Sequence, residues 1–187
     1  MTTLNPEYVN DIYSKYKRED SICQTNGYFS LNLRKSSIST IFNLLNLNEI
    51  DENIPKTIGW IGYGDGRELF CIAKHYPNFK FTGFEINEHA YNIACRVLSI
   101  LNLKNVSLYF SNAIESFEPF SYVYSTAISG TILYDHLYHI CFHKLCTLKS
   151  MVNSKYKNGE LNYKKIDIDH VFLSGSGERR QMISFTF

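Results

Sequence analysis

Three glycines at alternating positions form the part of this sequence best suited to holding a ligand. Gly62, Gly64 and Gly66 follow a short apolar stretch and precede an amphipathic one. This pattern predicts a strand, a glycine loop and a helix, so that free backbone N–H groups and the positive end of the helix dipole face a ligand. Arg67 stands where a dinucleotide-binding fingerprint has its third glycine, and no Gly-Lys-Ser or Gly-Lys-Thr follows. The loop therefore does not favour NAD, and it is not a P-loop.

Polar residues also follow the next two predicted strands. Glu85 lies nineteen positions after Gly66, at the end of the second strand. A carboxylate at that place can accept hydrogen bonds from both hydroxyls of a ribose. Asn112 and Ala113 follow the third strand, where a polar side chain could contact the edge of an adenine. Because the carboxyl ends of parallel strands meet at one edge of a sheet, these residues predict a site for an adenosine-sized ligand.

Histidines and cysteines near residue 140 raise the question of a metal site. His136, His139 and His143 fall on one stripe of a helix predicted over residues 133–145. A zinc site needs further ligands from elsewhere, and the sequence has neither a Cys-x-x-Cys pair nor a glutamate between these histidines. We therefore predict a polar helix face here and no metal site.

The order of the predicted elements indicates a parallel sheet with a different ending. Helices are predicted at 7–17, 36–45, 67–76, 87–101 and 133–145, and strands at 57–61, 79–86, 106–110, 121–124, 150–152, 166–173 and 181–187. Strands that alternate with helices of about ten to fifteen residues are typical of βαβ units. Ser174-Gly175-Ser176-Gly177 joins the last two strands, which predicts an antiparallel hairpin.

Composition limits the class of protein. A chain of 187 residues, 44% of them hydrophobic, is long enough for one domain with a buried core. A formal net charge of +1 gives no general attraction to nucleic acid or membrane. The five cysteines are widely spaced and odd in number, which predicts reduced thiols in an intracellular protein, cytoplasmic or nuclear. We expect no signal peptide and no membrane helix, because the first ten residues are polar and no stretch approaches about 18 apolar residues.

The region after residue 55 resembles the class I S-adenosylmethionine-dependent methyltransferases. The resemblance lies in the Gly-x-Gly-Asp-Gly-Arg loop, in the stretch 83–87 (Gly-Phe-Glu-Ile-Asn) before a helix, and in the stretch 103–106 (Leu-Lys-Asn-Val) before the third strand. It implies an α/β fold with a doubly wound, Rossmann-like sheet of seven strands in the order 3-2-1-4-5-7-6, ending in the antiparallel hairpin. It also implies S-adenosyl-L-methionine as cofactor, with a methyltransferase core over residues 56–187 behind an N-terminal helical lid over residues 1–55.

Within that class, two stretches are similar to the non-SET lysine methyltransferases of the disruptor-of-telomeric-silencing type. Residues 26–29 (Asn-Gly-Tyr-Phe) resemble a loop that lies over the cofactor in that family, and residues 125–130 resemble its strand-four motif. The resemblance implies N-methylation of a lysine in a protein, of histone type. It places Tyr28, Ser125 and Thr126 at the site of methyl transfer, with Ser and Thr where that family has a pair of asparagines.

The resemblance to class I enzymes also assigns the residues that contact the cofactor. Those residues are Trp60, Gly62, Tyr63, Gly64, Asp65, Gly66, Glu85, Ile86, Asn112, Ala113 and Ser125. Trp60 is a departure, because the family usually has Asp or Glu at that position, where it helps to hold the ammonium group of the cofactor. The face of an indole attracts a cation less strongly than a carboxylate hydrogen bond does.

Two alternatives to a protein methyltransferase stay open. The first is an RNA or DNA methyltransferase, although residues 125–128 are not the Asx-Pro-Pro-Tyr motif expected there for methylation of a base. Basic groups such as 15–18 and 34–35 could hold RNA or the acidic surface of a nucleosome. The second alternative, suggested by Trp60, is a subunit with the same fold that has lost catalysis and binds a partner protein.

Overall fold

In the computed structural model, helices flank both faces of a single sheet. The described residues are 6–15, 35–48, 52–115, 118–125, 131–148, 163–172 and 179–187. The helices are α1 (Pro6–Ser14), α2 (Lys35–Leu45), α3 (Arg67–His75), α4 (Glu88–Leu101) and α5 (Thr131–Ile140), and a short 3-10 helix covers Ala113–Glu115. The strands are β1 (Thr57–Ile61), β2 (Lys80–Glu85), β3 (Val106–Phe110), β4 (Phe120–Ser125), β5 (Cys141–Leu148), β6 (Lys165–Phe172) and β7 (Arg179–Thr186). No described helix is long and apolar enough to cross a membrane.

The sheet has the predicted architecture. Its seven strands run in the order β3-β2-β1-β4-β5-β7-β6. The first five strands in that order pair in parallel, and β7 pairs antiparallel with both β5 and β6. The predicted α/β, doubly wound, Rossmann-like fold with a terminal antiparallel hairpin and N-terminal helices is therefore confirmed. The segment predicted to join the hairpin, 174–177, lies outside the described residues.

Burial on both faces explains why the central strands are apolar throughout. All six residues of β4 are buried, as is typical of a parallel strand between two layers of helices. Successive side chains of β1 point to opposite faces. Trp60 joins the hydrophobic cluster that contains Ile41 of α2, and Ile61 joins the cluster that contains Leu137 of α5. With both faces covered, the carboxyl edge of the sheet is where its polar groups can meet a ligand.

The two N-terminal helices pack on the same core as the sheet. Val9 and Tyr13 of α1, together with Ile41 and Leu44 of α2, belong to one hydrophobic cluster with Trp60. Burial of such side chains contributes about 1.5–3 kcal/mol each relative to exposure. The N-terminal helices are therefore part of the packed structure around the sheet, and the predicted division at residue 55 stays a prediction.

The fifth strand lies earlier in the chain than the sequence predicts. The helix predicted over 133–145 ends at Ile140, and β5 begins directly at Cys141. The stretch 141–148 forms ladders with β4 on one side and β7 on the other, so its backbone is paired on both edges. This tertiary pairing outweighs the helical pattern of its side chains. The predicted strand 150–152 lies outside the described residues.

The shift also corrects the predicted histidine stripe. His136 and His139 lie on α5, whereas His143 lies on β5. The three side chains therefore do not form one face of one helix. Within the described ranges, no group of three or more His, Cys, Asp or Glu side chains is arranged to hold a metal ion.

Candidate functional site

The glycine loop connects the carboxyl end of β1 to the first turn of α3. Gly62, Gly64 and Gly66 have φ angles of 67°, 60° and 87°, in the left-handed region that favours glycine. A Cβ atom on Gly66 would come within 2.6 Å of the ring of Phe70. Gly66 also caps the N-terminus of α3. The backbone before α3 therefore carries no side chain at these three positions, so a ligand could approach its N–H groups closely.

Glu85 fixes the shape of this loop from the tip of β2. Its Oε2 accepts a hydrogen bond from the backbone N–H of Gly64 at 2.8 Å. Its Oε1 accepts from the N–H groups of Ile86 and Asn87, both at 2.9 Å. Burial raises the pKa of Glu85, while these three N–H groups oppose the rise. An ionised carboxylate has about four acceptor sites, so it can still accept from a ligand hydroxyl.

The tip of β3 lies next to the tip of β2, as predicted. The N–H of Ser111 donates to the carbonyl oxygen of Glu85 at 3.0 Å. Asn112 is exposed and accepts from the N–H of Ile114 at 3.3 Å, while Ala113 is buried at the start of the 3-10 helix. Ile86 is 61% exposed at the same edge. The apolar side chain of Ile86 could pack on the face of a flat ring such as adenine, and the amide of Asn112 could form hydrogen bonds with its polar edge.

Trp60 and Tyr63 are buried beneath the loop. The indole of Trp60 is 1% exposed and lies 4.2 Å, between ring centroids, from Tyr124 of β4. Tyr63 packs so closely on Gly83 that a Cβ atom there would lie 2.6 Å from its ring. Burial raises the pKa of the Tyr63 hydroxyl, which rules out an ionised phenolate at neutral pH. Direct contact of either ring with a cofactor stays a prediction.

The tip of β4 presents two buried hydroxyls that lack partners. Ser125 and Tyr124 are both fully buried, and neither Ser125 Oγ nor the Tyr124 hydroxyl has a hydrogen-bond partner within the described part of the chain. A buried hydroxyl without a partner costs about 1–3 kcal/mol. The two side chains point to opposite faces of the sheet. Ser125 pairs with Ile61, directly before the glycine loop, so its Oγ marks a place where a polar ligand would supply a missing bond. Thr126 and Tyr28, the other predicted transfer-site residues, lie outside the described residues.

Helix α1 is attached to the glycine loop through Asp65 and Arg67. The hydroxyl of Tyr13 donates to the backbone carbonyl of Asp65. Arg67 Nε donates to Asp65 Oδ2 at 2.8 Å, and its guanidinium lies 4.3 Å from the centre of the Tyr13 ring. The Asp65 side chain is thus engaged by the first residue of α3. Asp65 therefore helps to hold the loop against α1, and its direct contact with a cofactor stays a prediction.

Sequence reasoning missed an acid beside this loop, Glu68. It lies in the first turn of α3, is partly buried, and has a pKa raised to about 7 by burial and by the charge of Asp65. Burial raises the pKa of Cys71 and of Tyr124, and the charge of Glu68 adds to both shifts. An acid in the first turn of a helix is common because it complements the helix dipole. The sequence therefore does show an acid at the start of the helix. It does not show whether that acid is exposed to solvent or partly buried beside the loop.

Comparison with known proteins gives a match in structure only. No family model and no curated protein sequence matches this chain. A SAM-dependent O-methyltransferase from Thermotoga maritima superposes with a TM-score of 0.66 at 14% identity, over 95% of this chain and 70% of the other. TYW2 of M. jannaschii in complex with AdoMet gives 0.60 at 13% identity, over 84% and 80%. The chain has the Rossmann-like methyltransferase fold.

The glycine loop, Glu85 and Ser125 meet at one edge of the sheet in this methyltransferase fold. A further similar structure is an rRNA methylase from Streptococcus thermophilus, with a TM-score of 0.56 at 13% identity, over 82% of this chain and 98% of the other. Identities this low establish the fold alone. The finer resemblance to lysine methyltransferases of the disruptor-of-telomeric-silencing type depends on residues 26–29 and 126–130, outside the described residues, and on Ser125. It stays a prediction.

Proposed function

We propose that this protein is an S-adenosyl-L-methionine-dependent methyltransferase. The observation that carries the proposal is the buried carboxylate of Glu85, held by three backbone N–H groups at the tip of β2 and bonded to the glycine loop. Buried carboxylates are costly, and this one keeps acceptor capacity toward the edge of the sheet. Its position in a methyltransferase fold matches a group that grips a ribose.

The residues present fit this cofactor at three places. Glu85 would accept from a ribose hydroxyl, with Ile86 and Asn112 beside the adenine. The bare backbone from Gly62 to Gly66 would lie against the middle of the cofactor. The unpartnered Ser125 Oγ at the tip of β4 would face its methionine end. When bound, S-adenosyl-L-methionine supplies a methyl group on a sulfonium, so the protein's task is alignment in a site that excludes water.

For the acceptor, we propose a lysine side chain of a protein, of histone type. The support is the sequence resemblance at 26–29 and 125–130 and the lack of an Asx-Pro-Pro-Tyr motif after β4. Lysine must lose its proton before its nitrogen can attack, and a site lined with buried apolar and aromatic groups favours the neutral amine. Tyr124 and Trp60 provide such surroundings at the β4 tip.

Transfer of a labelled methyl group tests the function and the acceptor together. We expect the full chain, given S-adenosylmethionine with a radioactive methyl, to label lysines of core histones and to leave total RNA unlabelled. Amino-acid analysis of the product would show methyllysine. Label in RNA would instead support the nucleic-acid alternative. Label in neither, from a protein that binds the cofactor product, would contradict both acceptors.

A further inference from the structure

Three acidic side chains surround the glycine loop, and two of them already have partners. Glu85 accepts from three backbone N–H groups, and Asp65 is paired with Arg67 at 2.8 Å. Glu68 has no such partner, because no described cation lies within ion-pair distance of it. Its pKa of about 7 reflects a carboxyl group that is partly buried without compensation. Of the three, Glu68 is the acid that a positively charged ligand group would neutralise.

Glu68 lies in the first turn of α3, which packs on the face of the sheet that carries Tyr124 of β4. Leu69 and Phe70 of this helix share a hydrophobic cluster with the Tyr124 ring. The charge of Glu68 acts on Tyr124, near the end of β4, whereas Glu85 ends β2. In the sheet, β1 and its loop separate these two strands. If the ribose is held at the β2 side, the methionine part of the cofactor extends toward β4. Glu68 is then placed at the amino-acid end of the cofactor.

A second and independent observation points to a ligand at the same place. The hydroxyl of Tyr124 is fully buried and has no partner in the described part of the chain, and its ring belongs to the same cluster as Leu69 and Phe70 of α3. An ammonium group has three N–H donors, and a sulfonium has none. Together, the Glu68 carboxylate and the Tyr124 hydroxyl oxygen are acceptors of the kind that an ammonium requires.

We propose that Glu68 binds the α-ammonium group of the methionine part of S-adenosylmethionine, in place of an acid at position 60. This inference rests on the proposed function. At position 60 the chain has a tryptophan that is buried against Tyr124. The indole therefore occupies the position in β1 where an acid would bind the ammonium group. In this chain the negative charge for that group would come from Glu68, in the first turn of α3.

Two ligands that differ only in the amino-acid part test the proposal. S-adenosylhomocysteine carries the ammonium group, and 5′-methylthioadenosine has the same adenosine and sulfur without it. We expect Glu68→Gln to bind S-adenosylhomocysteine about 30-fold more weakly than wild type, as for a buried charge pair that loses one member. Binding of 5′-methylthioadenosine should change less than about twofold. Both constants are measured by calorimetry, with the exposed residue Glu88 changed to Gln as the matched control.

The outcomes separate this inference from the proposed function. Equal weakening of both ligands, or of neither, in Glu68→Gln would overturn the role of Glu68 while wild-type binding still supported a methyltransferase. S-adenosylmethionine is titrated as a third ligand, and weakening of its binding alone would assign Glu68 to the sulfonium and overturn the assignment to the ammonium. Failure of wild type to bind either ligand would overturn the proposed function itself. Should Glu68→Gln not fold, Glu68→Asp retains the charge on a shorter side chain and should show a smaller but still selective loss.

Discussion

Replacement of Glu85 by glutamine is expected to weaken binding of S-adenosylhomocysteine at least about 100-fold and to lower the free energy of unfolding by about 2 kcal/mol. Both effects have one cause. The carboxylate accepts from Gly64 through one oxygen and from Ile86 and Asn87 through the other. A glutamine has only one acceptor oxygen, so its NH₂ group must face a backbone N–H on one side. The loop then loses a charged hydrogen bond, and the ribose loses its acceptor.

Calorimetry for affinity and urea unfolding for stability measure the two effects of Glu85→Gln. Glu88→Gln is the matched control, because Glu88 is an exposed glutamate only three positions further on. Since a less stable protein could bind weakly through unfolding alone, affinity is compared at a temperature where both variants are fully folded. A Glu85→Gln variant that binds like wild type would remove Glu85 from the cofactor site.

Glu68→Gln is expected to stabilise the ligand-free protein, and to do so more at high pH. The pKa of Glu68 is raised from 4.5 to about 7 in the folded state, so the folded chain retains a proton that the unfolded chain loses between these values. The contribution of Glu68 to the free energy of unfolding therefore falls as pH rises from about 4.5 through 7. Glutamine removes that dependence. The free energy of unfolding of Glu68→Gln should exceed that of wild type by less than about 1 kcal/mol at pH 5 and by about 3 kcal/mol at pH 8.

Urea unfolding of wild type and Glu68→Gln at the two pH values measures this gain. The difference between the proteins cancels the titration of groups that they share. Cys71 and Tyr124 interact electrostatically with Glu68, but burial raises the pKa of each so far that both stay protonated at pH 5 and pH 8 in both proteins. An acid that costs the fold stability yet improves ligand binding has a functional role. A Glu68→Gln variant that is equally or less stable at pH 8 would show that its carboxylate is compensated within the protein.

The fold could be predicted from sequence wherever local pattern and tertiary pairing agree. The glycine loop and Glu85 each have a local signal, because positive φ angles and a strand tip restrict residue type. The terminal hairpin has one in the sequence, where glycine and serine separate two strand patterns. The boundary at Cys141 has no such signal. There α5 passes directly into β5, and only pairing with β4 and β7 makes that stretch a strand.

The site was predicted less completely than the fold, for a similar reason. Residues on the strand tips are fixed by topology, so Glu85, Asn112 and Ser125 fall at one edge as expected. Contacts made by other elements depend on packing that one sequence does not reveal. Tyr13 reaches the loop from α1, and Glu68 is buried by its surroundings rather than by its helix pattern.

Titration of the full chain with S-adenosylhomocysteine tests the central claim most directly. We expect saturable binding in the micromolar range by calorimetry, accompanied by a change in fluorescence from Trp60. This residue is the sole tryptophan of the chain and lies in β1, next to the loop that would contact the cofactor. An absence of binding up to millimolar ligand, in a protein shown to be folded by circular dichroism, would contradict the claim and favour a methyltransferase fold that acts as a binding subunit.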